Sequence, residues 1–191
     1  MKKAIFIVTI LFVAVISTAC INNMAVQELN NTAKAYMEKG DYDSAIERLE
    51  SSVELDNSIY ETHYNLGVAY ISAKKYDKAI DSLNRALKLN SKYANTYYTL
   101  AVALENHADS MVDSDDYIRT DDSDEPQHID TYKNLTDTQK EEMIEEYLSS
   151  IAYYKKYLEL VNSSQQSEEV NSHIAEMSKV LTKLGYKGSI D

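Results

Sequence analysis

Asp41-Tyr42-Asp43-Ser44-Ala45-Ile46, ahead of Val53-Glu54-Leu55-Asp56-Asn57, returns 34 residues later as Lys75-Tyr76-Asp77-Lys78-Ala79-Ile80, ahead of Leu87-Lys88-Leu89-Asn90-Ser91. A unit of this length cannot bury its own apolar face, so neighbouring units must stack against one another. Ala79, Leu83 and Ala86 fall at i, i+4 and i+7, one face of a helix. Four Gly, one Pro and no Trp in 191 residues argue against a turn-rich β fold and for helices with short connections. The chain is expected to be all-α.

Asn65-Leu66-Gly67 with Tyr70 forms a first-helix pattern, and Ala79, Leu83 and Ala86 a second-helix pattern. One period earlier stand Ala33 and Tyr36, Gly40 in the turn, Ala45 and Leu49, with Ser52 in the place of Ala86. This resembles the tetratricopeptide repeat (TPR). The resemblance implies a TPR-type α-solenoid of helix-turn-helix units whose small residues, Gly67 among them, let helices cross closely. Asn57 and Ser91 replace the family's usual proline and are expected to end one helix and cap the next. A third unit starts in phase with Tyr97, Leu100, Ala101 and Leu104. Its second helix, Tyr147-Leu148-Ser149-Ser150-Ile151 through Leu158-Glu159-Leu160, arrives about 37 residues late. Thr136 and Gln139 read as a capping box that opens this helix. Val170, Ile174, Met177, Leu181 and Leu184 then mark an amphipathic helix ended by Gly185, suited to closing the stack.

The N-terminus reads as a processing signal. Met1-Lys2-Lys3 precedes an apolar run from Ala4 to Ile16, and Ser17-Thr18-Ala19-Cys20 closes it. The arrangement resembles a bacterial lipoprotein signal, cut before Cys20, whose thiol then carries the lipid. Ser17 stands where such signals most often have Leu. Cys20 is the only cysteine, so no intramolecular disulfide can form. Acyl chains hold a protein stably on a bilayer, and the short tether predicts a repeat domain close to that surface. Ile21 is not the aspartate that often marks inner-membrane retention, which points to the outer membrane where the organism has one. The expected layout is 1–19 cleaved signal, 20–25 lipidated N-terminus and tether, and 26–162 three TPR-like units. An acidic insert at about 109–138 interrupts the third unit, and 163–191 form the capping helix and tail.

In TPR proteins the first helices line a concave groove. The resemblance therefore implies partner-binding positions at Asn30, Lys34, Glu61, Tyr64, Asn65, Asn95, Tyr98 and Val102. Tyrosine supplies rigid contact area with a polar tip, and asparagine can bind an extended backbone through donor and acceptor. A protein or extended peptide is the expected occupant. Recognition of an acidic chaperone tail is not, because Asn95 and Thr99 stand where that clamp needs cations and Lys34 alone cannot neutralise the tail. A net charge of −12 also excludes nucleic acid as a partner.

Within the insert, Asp113, Asp115, Asp116, Asp121, Asp122, Asp124 and Glu125 crowd around Arg119, with Pro126 the only proline. Hard oxygens suit Ca²⁺, but Tyr117 and Ile118 break any EF-hand register. The insert is read as a flexible acidic loop; a divalent-cation-responsive module is the alternative. His63, His107, His128 and His173 show no paired spacing, and there is no phosphate-binding Gly loop or nucleophile motif. Glu141-Glu142 and Glu145-Glu146 are read as a solvated face. The sequence thus points to a non-catalytic adaptor or scaffold at the bacterial cell envelope, with no cofactor and no metal site.

Overall fold

A computed structural model describes residues 22–112, 132, 134–161 and 164–190. Among them are seven helices and no strand. These are α1 over 22–38, α2 Tyr42–Leu55, α3 Tyr60–Ser72, α4 Tyr76–Leu89, α5 Ala94–Ser110, α6 Asp137–Leu160 and α7 Ser164–Lys183. The chain divides into two compact units between Asn90 and Ser91. The signal segment, Cys20 and the insert from Asp113 to Thr131 lie outside the described residues. No helix among the described residues is long and apolar enough to cross a membrane.

Two helix pairs, α1–α2 and α3–α4, make the first unit, and both turn in the same way. After α1, Gly40 N–H donates to the Met37 carbonyl and Asp41 N–H to that of Tyr36, each at 3.0 Å. After α3, Lys74 N–H donates to Ile71 and Lys75 N–H to Tyr70, at 2.9 and 2.8 Å. This is the Schellman closure, which satisfies the last carbonyls of a helix and requires a left-handed residue. Gly40 meets the requirement with φ 75°, and Lys74, one period later, with φ 56°. A lysine there bears a steric cost that glycine avoids.

Equivalent residues of the two pairs fill the core. Ala45 and Ala79, Leu49 and Leu83, and Ser52 and Ala86 are all fully buried. The anticipated close crossing lies at Gly67, where a Cβ would sit 2.5 Å from Leu83 Cγ. Tyr70 packs beside it and donates its hydroxyl to Glu50 Oε1 at 2.5 Å. Burial of the ring, reinforced by Glu50, raises the Tyr70 phenol well above its ordinary value.

Asn57 and Ser91 do not act as caps. Neither Ile59, which precedes α3, nor Tyr93, which precedes α5, makes a side-chain cap bond. Asp56 instead organises the first connection, its Oδ1 accepting from the Ser58 N–H at 2.9 Å and the Ser58 hydroxyl at 2.6 Å. Asn57 and Ser91 contribute carbonyls: His63 Nε2 donates to the first at 3.0 Å and Tyr97 Oη to the second at 3.1 Å. His63 and Tyr97 are repeat equivalents, so one tie between loop and helix is kept with different side chains. The first helix also begins earlier than expected. Residues 22–25, assigned to a tether, are already helical, because Val26 is a core residue and needs the preceding turn to be seated.

Helices α5, α6 and α7 make the second unit. The capping box is present: Gln139 N–H donates to Thr136 Oγ1, and Thr136 N–H donates to the Gln139 side chain. From there α6 runs unbroken for 24 residues. Met143, Tyr147, Ile151, Tyr154 and Tyr157 of α6 share one core with Ala101 and Ala108 of α5 and Val170, Met177 and Leu181 of α7. The outer face of α7 is exposed and polar, with Glu168, Asn171, Ser172 and Glu176, as a closing helix requires. Gly185, φ 88°, ends it with the same Schellman bonds, Gly185 N–H to Thr182 and Tyr186 N–H to Leu181. On either side of the segment assigned to the insert, α5 continues through Ser110 and α6 starts at Asp137.

Candidate functional site

Three of the eight expected partner-binding residues meet in one cleft of the first unit. Asn30, Asn31, Ala33, Lys34, Met37 and Glu38 of α1 line it together with Asn65 of α3, enclosing about 560 Å³. Lys34 and Glu38 are exposed and Asn65 is half-buried. One lysine and one carboxylate leave the lining without net formal charge. Its remaining polar groups are amides, which can donate and accept toward an extended backbone without selecting a charged end.

Asn30 does not display its amide as expected. Its Nδ2 lies 2.8 Å from Ser52 Oγ, 3.0 Å from Thr62 Oγ1 and 2.9 Å from the Val26 carbonyl. Ser52 and Thr62 are fully buried, and their hydroxyls need this partner. Asn30 therefore ties α1 to α2 and α3 from within. The substitution of Ser52 for the alanine of the next unit explains why a polar residue is required opposite it. Asn31, Met37 and Glu38 were missed. They lie within one or two turns of Lys34 on the same helix, and helical spacing from Lys34 would have found them.

On α3, Glu61 is exposed and Tyr64 half-buried, and neither lines this cleft. In the second unit, Asn95 is exposed and its Nδ2 donates to Tyr93 Oη at 3.3 Å. Tyr98 and Val102 are turned inward. The Tyr98 ring meets Tyr154 edge-on at 5.5 Å and Tyr157 at 5.3 Å, and Val102 packs against the same core. Burial raises the Tyr98 phenol, with Glu169 of α7 the next largest cause. α6 packs along this face of α5, and Tyr98 and Val102 remain half-buried there.

That face carries a polar ladder. Tyr154 donates to Glu105 Oε2 at 3.0 Å, while His173 Nδ1 donates to Glu105 Oε1 at 3.2 Å and stacks on Tyr154. One carboxylate thus joins α5, α6 and α7. Further along, His107 Nδ1 pairs with Glu146 Oε1 at 2.6 Å, and Tyr147 donates to Asp109 Oδ1 at 2.5 Å. Burial, then the neighbouring carboxylates, raise the phenols of Tyr147 and Tyr154 far above their ordinary value. His63 thus bonds the Asn57 carbonyl, while His107 and His173 pair with Glu146 and Glu105; His128 lies outside the described residues. Glu146 departs from the solvated face assigned to it, while Glu141, Glu142 and Glu145 are exposed as expected. Among the described residues, no three His, Cys, Asp or Glu side chains are grouped to hold a metal ion.

Residues 60–93 match a tetratricopeptide repeat family model, and residues 33–73 match a second TPR repeat model. No curated protein matches the chain by sequence. Among solved structures, the second TPR domain of human RPAP3, in complex with the HSP70 peptide SGPTIEEVD, is similar with a TM-score of 0.57 at 13% identity, over 82% of this chain and 98% of that one. The Arabidopsis OM64 TPR domain gives 0.57 at 11% identity, over 83% and 98%. The Yersinia enterocolitica type III secretion chaperone SycD, in complex with a peptide of the translocator YopD, gives 0.52 at 17%, over 82% and 91%. At these identities the likeness speaks for the fold. The chain carries tetratricopeptide repeats, and its fold is all-α, of the TPR solenoid class.

Proposed function

We propose that this chain is a non-catalytic binding module, tethered by lipid at Cys20 to the bacterial cell envelope, that holds an extended peptide or protein segment as an adaptor or scaffold. The α1–α3 cleft carries this reading: amides and one balanced pair of charges line an open space on the face where TPR helices meet ligands. Two of the similar structures are complexes with peptides, those of RPAP3 and SycD. The neutral lining favours an uncharged stretch of backbone over an acidic tail.

Two experiments test the two halves separately. A display library of extended peptides is selected against the wild type and against Lys34→Ala/Asn65→Ala. Selected sequences should lose about tenfold in affinity on the double variant, in line with removing two central polar contacts; equal binding by both proteins refutes the cleft. Metabolic labelling with an alkyne fatty acid tests the anchor. Label should enter the wild type and not Cys20→Ala, and Cys20→Ala should leave the membrane fraction. Unlabelled wild type refutes lipidation without touching the cleft.

A further inference from the structure

One side of α6 carries a shallow, open trough of about 430 Å³. Its lining is Glu141, Ile144, Glu145, Leu148, Ser149 and Ala152. Ile144, Leu148 and Ala152 recur every fourth residue along the helix axis. The first two are half-buried at the rim of the unit's core and Ala152 is exposed, so one edge of each lines an apolar strip, with exposed Glu141 and Glu145 beside it at the same spacing. The inward acids of this unit are matched, Glu105 by His173 and Glu146 by His107. The outward ones, Glu141, Glu142 and Glu145, have no ion-pair partner among the described residues. An apolar strip beside unmatched carboxylates is complementary to one kind of surface.

We propose that this trough is a second docking surface, taking a basic amphipathic helix of another protein, with its apolar residues on Ile144, Leu148 and Ala152 and its Lys or Arg side chains against Glu141 and Glu145. The linear, one-helix form of the trough selects a helix laid alongside it, anchored at i and i+4. A second copy of this chain presenting the same face would set like charges against each other. An anionic bilayer would be repelled for the same reason. The inference is independent of the α1–α3 cleft, with which the trough shares no lining residue.

The test uses a fluorescent peptide of about 14 residues, some four helical turns, with Leu at every fourth position and Lys on the flanks, titrated into the full chain and read by anisotropy. One peptide should bind per chain. Ile144→Ser/Leu148→Ser should weaken it about tenfold through lost apolar contact. Glu141→Gln/Glu145→Gln should weaken it about fivefold, the worth of two exposed pairs. Ala152→Lys, at an exposed site that cannot disturb the core, should weaken it comparably and guards against misfolding of the Ser double variant. Glu168→Gln/Glu176→Gln on α7 and Lys34→Ala/Asn65→Ala should leave binding unchanged. Equal losses in the α6 and α7 acid variants would mean diffuse charge attraction and overturn the proposal. Wild-type affinity in Ala152→Lys would overturn it too.

Discussion

Gly67→Ala adds one methyl group where α3 and α4 cross. The new Cβ would lie 2.5 Å from Leu83 Cγ, 2.8 Å from Cδ2 and 3.3 Å from Cδ1. Carbon atoms in contact prefer about 3.5–4.0 Å, so the overlap with the branch carbon approaches 1 Å. Leu83 is fully buried, so the overlap has to be relieved within the core. Such overpacking costs about 1–3 kcal/mol. Alanine in place of glycine inside a helix returns about 1 kcal/mol, and the net loss should be up to about 2 kcal/mol. A double-mutant cycle separates the two effects. Leu83→Ala alone should cost about 2–5 kcal/mol through its cavity. On that background Gly67→Ala should become stabilising by about 1 kcal/mol, because its obstacle is gone and only helix propensity remains. The coupling, about 1–3 kcal/mol, is measured by urea unfolding of the four proteins followed by circular dichroism. Additive effects, or stabilisation of the wild type by Gly67→Ala, would refute the crossing as a packing constraint.

Lys74→Gly should raise stability by up to about 1 kcal/mol, and Gly40→Ala should lower it by about as much, since both positions are left-handed; thermal melts of the pair, with opposite signs, check this. Asn30→Leu should cost about 1–3 kcal/mol by leaving the Ser52 and Thr62 hydroxyls without their partner. Adding Ser52→Ala should recover part of that loss in urea titrations. The phenols of Tyr70, Tyr147 and Tyr154 are raised in the fold, whereas unfolded tyrosine ionises near pH 10. Their contribution is therefore complete below about pH 10 and is lost as pH climbs above it, because the unfolded chain then binds fewer protons. Urea midpoints should fall between about pH 9 and about pH 11, less steeply for Tyr154→Phe; an unchanged slope in that variant contradicts the assignment.

Local signals carried the sequence reading well. The period set the helix pairs, Gly67 marked the crossing, Thr136 with Gln139 opened α6, and Gly185 closed α7. Each depends on residues a few positions apart or on a repeat equivalent. What stayed hidden was set by distant partners. Tyr98 reads as a groove residue until Tyr154 and Tyr157 close over it, and nothing in its own period announces them. Glu146 reads as a surface acid until His107 meets it across the α5–α6 seam. Asn30 occupies the place of Tyr64 and Tyr98 in the repeat, so periodicity assigned all three to one face. The cleft was partly legible because Lys34 and Asn65 sit at first-helix positions. Met37 and Glu38 were overlooked because they match no repeat consensus.

Asn30, Tyr64 and Tyr98 mark a single column of the repeat. The first bridges two sunken hydroxyls, and the last lies edge-on between aromatic rings. Copies that began as interchangeable bricks have thus become individually keyed. Duplicating or shuffling one of them would import a side chain cut for other neighbours, so this chain can no longer grow or shrink by whole repeats without re-cutting its seams.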